Sequence, residues 1–228
     1  MPVPVYFANL RTRQAADNKT AKIGRLFAAA GFGSCLAPGR LTAIKVHFGE
    51  MGNDTFLSPV LAAAVVELAR QAGAKPFLTD TNTLYGGTRH NAVDHLATAL
   101  RHGFGMEVTG APLVIADGLF GENEVAVPIP GRRIQTARIA GAIARAEAML
   151  VLSHFKGHEL AGFGGAVKNL AMGCATGAGK RDQHSPRFTV DQDKCVACGE
   201  CERICPEGAA RVDGAAASID KARCIGCG

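Results

Sequence analysis

The chain has 228 residues, 47% hydrophobic and 20% charged, which suits one sizeable α/β domain plus a small appended module and excludes a disordered chain. Its formal charge of +5 is interleaved with acidic residues, and no dense Lys/Arg stripe or aromatic platform is present. That argues against nucleic acid and for a solvated surface or a pocket for small anions. No segment approaches ~20 apolar residues, so no membrane span is expected. The opening MPVPVYFANLRTRQ places its apolar run before its arginine, the reverse of a signal peptide. Eight cysteines without an export signal point to a reducing cytoplasm and to metal or redox chemistry rather than disulfides.

Strand and helix patterns alternate along most of the chain, the signature of a mainly parallel sheet. Residues 3–7 and 43–48 are short apolar runs with β-branched content and read as strands. Residues 59–72 have helical periodicity, with Pro59 in the first turn and Gly73 just past the end. Residues 76–79 read as a strand leading into Asp80, Thr81 and Asn82, and 91–102 as a helix stopped by Gly103. Further strands are expected at 112–116, 125–129 and 149–152, with a helix at 139–146. The stretch from Cys174 to Val190 is polar, rich in small residues and broken by Pro186, so it reads as a linker or covering loop. The expected organisation is an α/β domain over 1–178, its mainly parallel sheet flanked by helices. A linker at 179–189 and a small α+β module at 190–228, whose cysteine spacing gives it a ferredoxin-like character (Cys195, Cys198, Cys201, Cys205-Pro206), would follow.

The last segment contains an internal repeat. Val190-Asp191 followed by Lys194-Cys195-Val196-Ala197-Cys198-Gly199 recurs 29 residues later as Ile219-Asp220 followed by Arg223-Cys224-Ile225-Gly226-Cys227-Gly228. Cys195, Cys198, Cys201 and Cys205, followed by Pro206, have the spacing of the bacterial ferredoxin run, in which thiolates every third residue wrap three corners of an iron–sulfur cube. The fourth cysteine of such a run ligates the other cluster. Cys195, Cys198 and Cys201 would therefore hold one [4Fe–4S] cluster, and Cys205 would join Cys224 and Cys227 on a second. A zinc site would need two Cys pairs, not a run of four ending in Cys-Pro. The repeat breaks off at Gly228, before its remaining cysteines, so a truncated chain is expected. Cys35 reads as an inert small residue, whereas Cys174, in a Gly-rich loop, has a better claim to chemistry.

Two polar segments begin where predicted strands end, the place where open α/β sheets bind ligands. One runs IKVHFGEMGNDT and is followed by LTDTNTLYGGTRHNAVDH; the other runs SHFKGHELAGFGGAVKNLAMGC. Lys45 and His47 lie two apart on a strand and would face the same side. His154, Lys156, His158 and Glu159 crowd into six residues and could form a general acid/base cluster, since His titrates near neutral pH. Gly157 makes a helical zinc pair of the two histidines doubtful. Gly162, Gly164 and Gly165 precede a helix expected from Ala166, an arrangement that can present backbone N–H groups to an anion, with Lys168 and Asn169 in its first turn. A Gly-rich turn chosen for packing is the alternative. Asp80 and Asn82 could position a ligand or cap a turn. His90, His95, His102 and His184 read as surface residues. The stretch from Gly173 to Arg181 fails as a phosphate-binding loop because its spacing is off by one and no Ser or Thr follows Lys180.

These segments, joined to a terminal ferredoxin run, resemble the domain of unknown function 362 family. FKGHELAGFGGAVKNLAMG is the most specific part of the likeness, which covers most of residues 1–175. The resemblance implies an iron–sulfur protein, a redox enzyme of anaerobic-type metabolism with cluster ligands at the six terminal cysteines, and names no substrate. Three functions are then open. The clusters could pass electrons to a small anionic substrate or cofactor; the chain could be an electron carrier docking a redox partner protein; or it could be a non-redox enzyme with structural or sensing clusters. Flavin is not signalled, as no G-x-G-x-x-G follows the first strand, and nothing fixes the oligomeric state.

Overall fold

The computed structural model describes residues 2–158, 162–184 and 188–227. In chain order its elements begin with α1 (Lys19–Ala29), β1 (Leu41–Val46), α2 (Pro59–Gln71), β2 (Lys75–Asp80), α3 (Ala92–Arg101), α4 (Met106–Thr109) and β3 (Leu113–Ile115). Next come β4 (Glu124–Pro128), β5 (Thr136–Ala140), α5 (Gly141–Arg145), β6 (Ala148–Leu152), β7 (Lys156–His158), β8 (Gly162–Gly164), α6 (Ala166–Ala171) and α7 (Gly177–His184). The C-terminal part holds α8 (Glu200–Ile204), β9 (Ala210–Asp213) and β10 (Ala216–Ile219).

Four strands pair in parallel in the order β3-β2-β1-β6, and helices flank the sheet. The chain steps outward from β1 to β2 and β3, then returns to the other side of β1 with β6. The order therefore reverses at β1, the kind of switch point where such sheets open a ligand crevice. Five of the six residues of β1 are buried, as befits a central parallel strand covered on both faces. On one face Ile44, Val46, Leu78 and Leu150 pack with Ala62, Val65 and Val66 of α2 and with Phe48 and Phe104. The helices start where their side chains cap them. Ser58 accepts from Val60 N before Pro59 opens α2, and Asn91 accepts from Asp94 N at the head of α3. β4 and β5 form a separate antiparallel hairpin, as do β7–β8 and β9–β10.

Three expected elements differ. Residues 3–7 pair with no strand, and Val3, Val5 and Phe7 are exposed; Pro4 lies inside the run and cannot donate to a ladder. The helix expected at 139–146 begins at Gly141, because Ile139 and Ala140 complete β5 against Val125 and Glu124. The polar stretch expected as a linker or covering loop is helical over Gly177–His184. It docks on β5, where Arg138 donates from Nε to Asp182 (3.0 Å) and from Nη1 to Glu124 (2.8 Å).

Candidate functional site

A cleft of about 490 Å³ lies where β1, β2 and β6 end. Residues just past each strand line it: His47 after β1, Thr81 to Tyr85 after β2, and Ser153 and His154 after β6. Lys45, two residues before His47 on β1, reaches the same cleft, as strand alternation requires.

Asp80 is the centre of the charge network. Its carboxylate lies 2.8 Å from Lys45 Nζ, 3.5 Å from His47 Nδ1, 3.7 Å from Arg89 Nη1 and 3.8 Å from His95 Nε2. Burial alone would raise its pKa. The Lys45 charge, the His47 hydrogen bond and the charges of His95 and His47 outweigh that and hold the carboxyl well below the usual range. Lys45 also donates to Asn169 Oδ1 (2.6 Å), and the Asn169 amide donates to Leu152 O and Ser153 Oγ. Asn169 thus fixes Lys45 against β6. Arg89 is shared between Glu50 (3.1 Å), His47 Nδ1 (3.1 Å) and the Tyr85 hydroxyl (2.9 Å). Asn82 spans the next layer, with Nδ2 donating to Gly118 O and Oδ1 facing His95 Nδ1.

The outer wall is basic. The His47 and His154 rings stack with centroids 5.7 Å apart, and burial, then the charges of His47 and Lys156, lower the His154 pKa. Lys156 and His158 stand on β7, and Lys168 touches the His158 ring. Gly164 and Gly165 line the cleft, whereas Gly162 pairs with His158 in the β7–β8 hairpin. α6 spans six residues. Glu159 lies outside the described residues. Among the described lining residues, Lys45, Arg89, Lys156, Lys168 and Lys180 face a single carboxylate, Asp80.

Several participants were not visible in the sequence. His95, expected at the surface, is fully buried, and burial pushes its pKa down to about 4, which keeps the ring neutral beside Asp80. His102, also expected at the surface, has Nδ1 2.7 Å from Phe48 O and stacks on Phe56. His184 lines the cleft, while His90 is exposed. Lys180, within the expected linker, is buried in the cleft wall and donates to Thr81 Oγ1 (2.7 Å) and the Ala175 carbonyl. Arg89 lay in a polar stretch but carried no periodic signal that joined it to His47.

The C-terminal cysteine loops reach the same cleft: Pro206, Ile225 and Cys227 line it, and His184 hydrogen-bonds to the Gly226 backbone. The sequence repeat is also a backbone repeat. Lys194 N and Cys195 N bond to Asp191 O, and Arg223 N and Cys224 N bond to Asp220 O. Asp191 Oδ1 accepts from Asp193 N as Asp220 Oδ1 accepts from Ala222 N. Ala197 and its repeat mate Gly226 both have left-handed backbones, at φ 53° and 71°. A non-glycine residue there costs about 1 kcal/mol and persists where a loop's path demands it. Ala217 N lies 3.2 Å from Cys195 Sγ and Ala209 N 3.2 Å from Cys205 Sγ. The Ala210 N–H lowers the Cys205 pKa, burial opposes it, and the N–H groups of Ala209, Glu207 and Gly208 lower it further. Among the described residues, the thiols do not converge in groups of three or more. Cys174 is buried and its thiol pushed up by desolvation, and Cys35 is exposed.

Fold and cleft define an open parallel α/β protein with a cation-lined cleft at its strand switch point. The chain belongs to the family described as Domain of unknown function (DUF362), whose profile matches residues 42–218. The match begins at β1 and runs past the expected 1–175 to take in the sheet, the cleft residues up to Pro206 and the Cys195–Cys205 run. No curated protein and no solved structure matches the chain. No helix among the described residues is long and apolar enough to cross a membrane.

Proposed function

We propose that the chain is an iron–sulfur oxidoreductase that passes electrons to a small anionic substrate in the cleft. One observation carries this: a single cleft is walled by the Lys45–His47–His154–Lys156 group of the sheet and by Cys227, Ile225 and Pro206 of the cysteine loops. Cys195, Cys198 and Cys201 would hold one [4Fe–4S] cluster, and Cys205, Cys224 and Cys227 the one beside the cleft. The repeated turns, the left-handed Ala197 and Gly226 and the N–H groups aimed at Cys195 and Cys205 support this, since such donors stabilise cluster sulfur. When bound, the clusters supply single electrons, refilled by a redox partner protein.

The chain's own residues do the rest. The excess of cations attracts and orients an anion. The His47–His154 stack stands where a reduced substrate would need protons, and burial, by lowering the His154 pKa, favours the neutral ring. Asp80 holds the Lys45 and His47 side chains in place. The carrier alternative draws on the exposed Phe155 and Phe163 rings, 5.3 Å apart, which could meet a partner protein.

Anaerobic reconstitution with iron and sulfide counting and EPR tests the clusters; about four irons per cluster are expected. His154→Ala and Lys156→Ala then separate the readings. An enzyme loses turnover with its iron content intact, whereas a carrier keeps full electron transfer. Absence of bound iron after reconstitution overturns the proposal.

A further inference from the structure

We propose that Lys45 and Lys180 together form a carboxylate-binding subsite at the deep end of the cleft. This names the substrate class for the reading above and rests on it only in taking the cleft as the ligand site; it does not depend on the clusters.

Lys180 is a buried cation held by neutral groups. It is 8% exposed, lines the cleft and forms no ion pair among the described residues. Its hydrogen bonds go to two neutral acceptors, Thr81 Oγ1 and the Ala175 carbonyl. The charges of Asp117 and Asp80 act on it without forming an ion pair, and both oxygens of Asp117 accept from Asn82 N. Desolvation pulls the Lys180 pKa down to about 8, so it is still charged at neutral pH. A buried charge of this kind is costly unless a partner arrives. A ligand anion is such a partner.

The two lysines reach the same glycine by different routes, Lys45 directly and Lys180 through Thr81. Thr81 Oγ1 accepts from Lys180 and donates to Gly173 O (3.1 Å). A Cβ on Gly173 would stand 2.9 Å from Lys45 Nζ, so a side chain there would crowd the Lys45 head. Each lysine has three N–H donors. Lys45 uses two on Asp80 and Asn169, and Lys180 uses two on Thr81 and Ala175. One donor on each is left for a ligand, which matches the two oxygens of a carboxylate. A phosphate would leave further oxygens without donors and bring a second negative charge close to Asp80.

The test titrates the purified chain with acetate, malonate and pyruvate, and separately with inorganic phosphate, at matched ionic strength by calorimetry. Saturable binding of at least one carboxylate, tighter than phosphate, is expected, and K180Q should weaken it about 10- to 100-fold. Equal carboxylate affinity in K180Q, tighter binding of phosphate, or no saturable carboxylate overturns the subsite. Should K180Q fail to fold, acetic anhydride labelling of the wild type read by peptide mass spectrometry decides. A saturating carboxylate must protect Lys180, and unchanged labelling refutes the proposal. Carboxylate binding that persists in a protein unable to pass electrons would sink the redox reading alone.

Discussion

Asp80 faces Lys45, His47, Arg89 and His95 within 3.8 Å and is itself almost fully buried. Removing one partner from a buried ion pair strands the others, at a cost of about 3–5 kcal/mol. Asp80→Asn is therefore expected to lose about 3 kcal/mol of stability at pH 7 in urea unfolding. The sign with pH follows from the depressed folded pKa of Asp80. Its contribution is present above the ordinary carboxylate pKa and is lost as pH falls through the folded one. The gap between wild type and Asp80→Asn should accordingly close as pH drops below about 4; a gap that stays constant to pH 2 would refute the network. Asp117, raised to about 6 by burial despite the Lys180 charge, acts in the opposite sense, stabilising less as pH climbs from about 4 to 6. At this scale the sequence was legible where chemistry followed a local period. Lys45 and His47 share a strand face, and Asp80 and Asn82 end the next strand. Arg89 and His95 were not legible, because what joins them to Asp80 is the docking of α3 and the loop before it, which no local spacing encodes.

The helices and strands of the sheet were visible because apolar periodicity and caps agree there, as at Ser58-Pro59 and Asn91. Helix α7 was not. Its sequence, GAGKRDQH, has glycines and no apolar stripe, and it is held by contacts to β5 rather than by its own propensity. Gly179 is the point of closest approach. A Cβ there would stand 2.6 Å from Arg138 O and 3.1 Å from the Ala175 Cβ. Overpacking of that kind costs about 1–3 kcal/mol, against up to about 1 kcal/mol gained in helix propensity. Gly179→Ala should therefore destabilise by about 1–2 kcal/mol and weaken any ligand contact made through Lys180. Gly24, inside α1 with nothing within 4 Å of an added Cβ, is the control: Gly24→Ala should stabilise by about 0.5–1 kcal/mol. Urea unfolding of the two variants reads both signs, and matching effects would show that α7 is not pressed against β5.

Across the whole molecule, the parallel sheet and the cysteine loops meet at one cleft, and the meeting is asymmetric. Cys227 and its neighbours Ile225 and Pro206 line the cleft, whereas Cys195, Cys198 and Cys201 do not. The sequence repeat showed two equivalent loops but could not say which would face the sheet, since the choice is made by tertiary contacts such as His184 to Gly226. If the proposed clusters are present, the one held by Cys205, Cys224 and Cys227 senses the ligand and the other does not. A carboxylate that fills the cleft changes the local charge beside that cluster, and cluster potentials respond to nearby charge and solvent. EPR of the reduced protein should then show one of two signals shifting on ligand addition. Cys227→Ser should abolish the shift along with substrate-dependent reoxidation. Cys195→Ser should leave the shift in place while removing the other signal. A ligand-dependent shift that survives Cys227→Ser would mean that electrons do not enter the cleft through this loop.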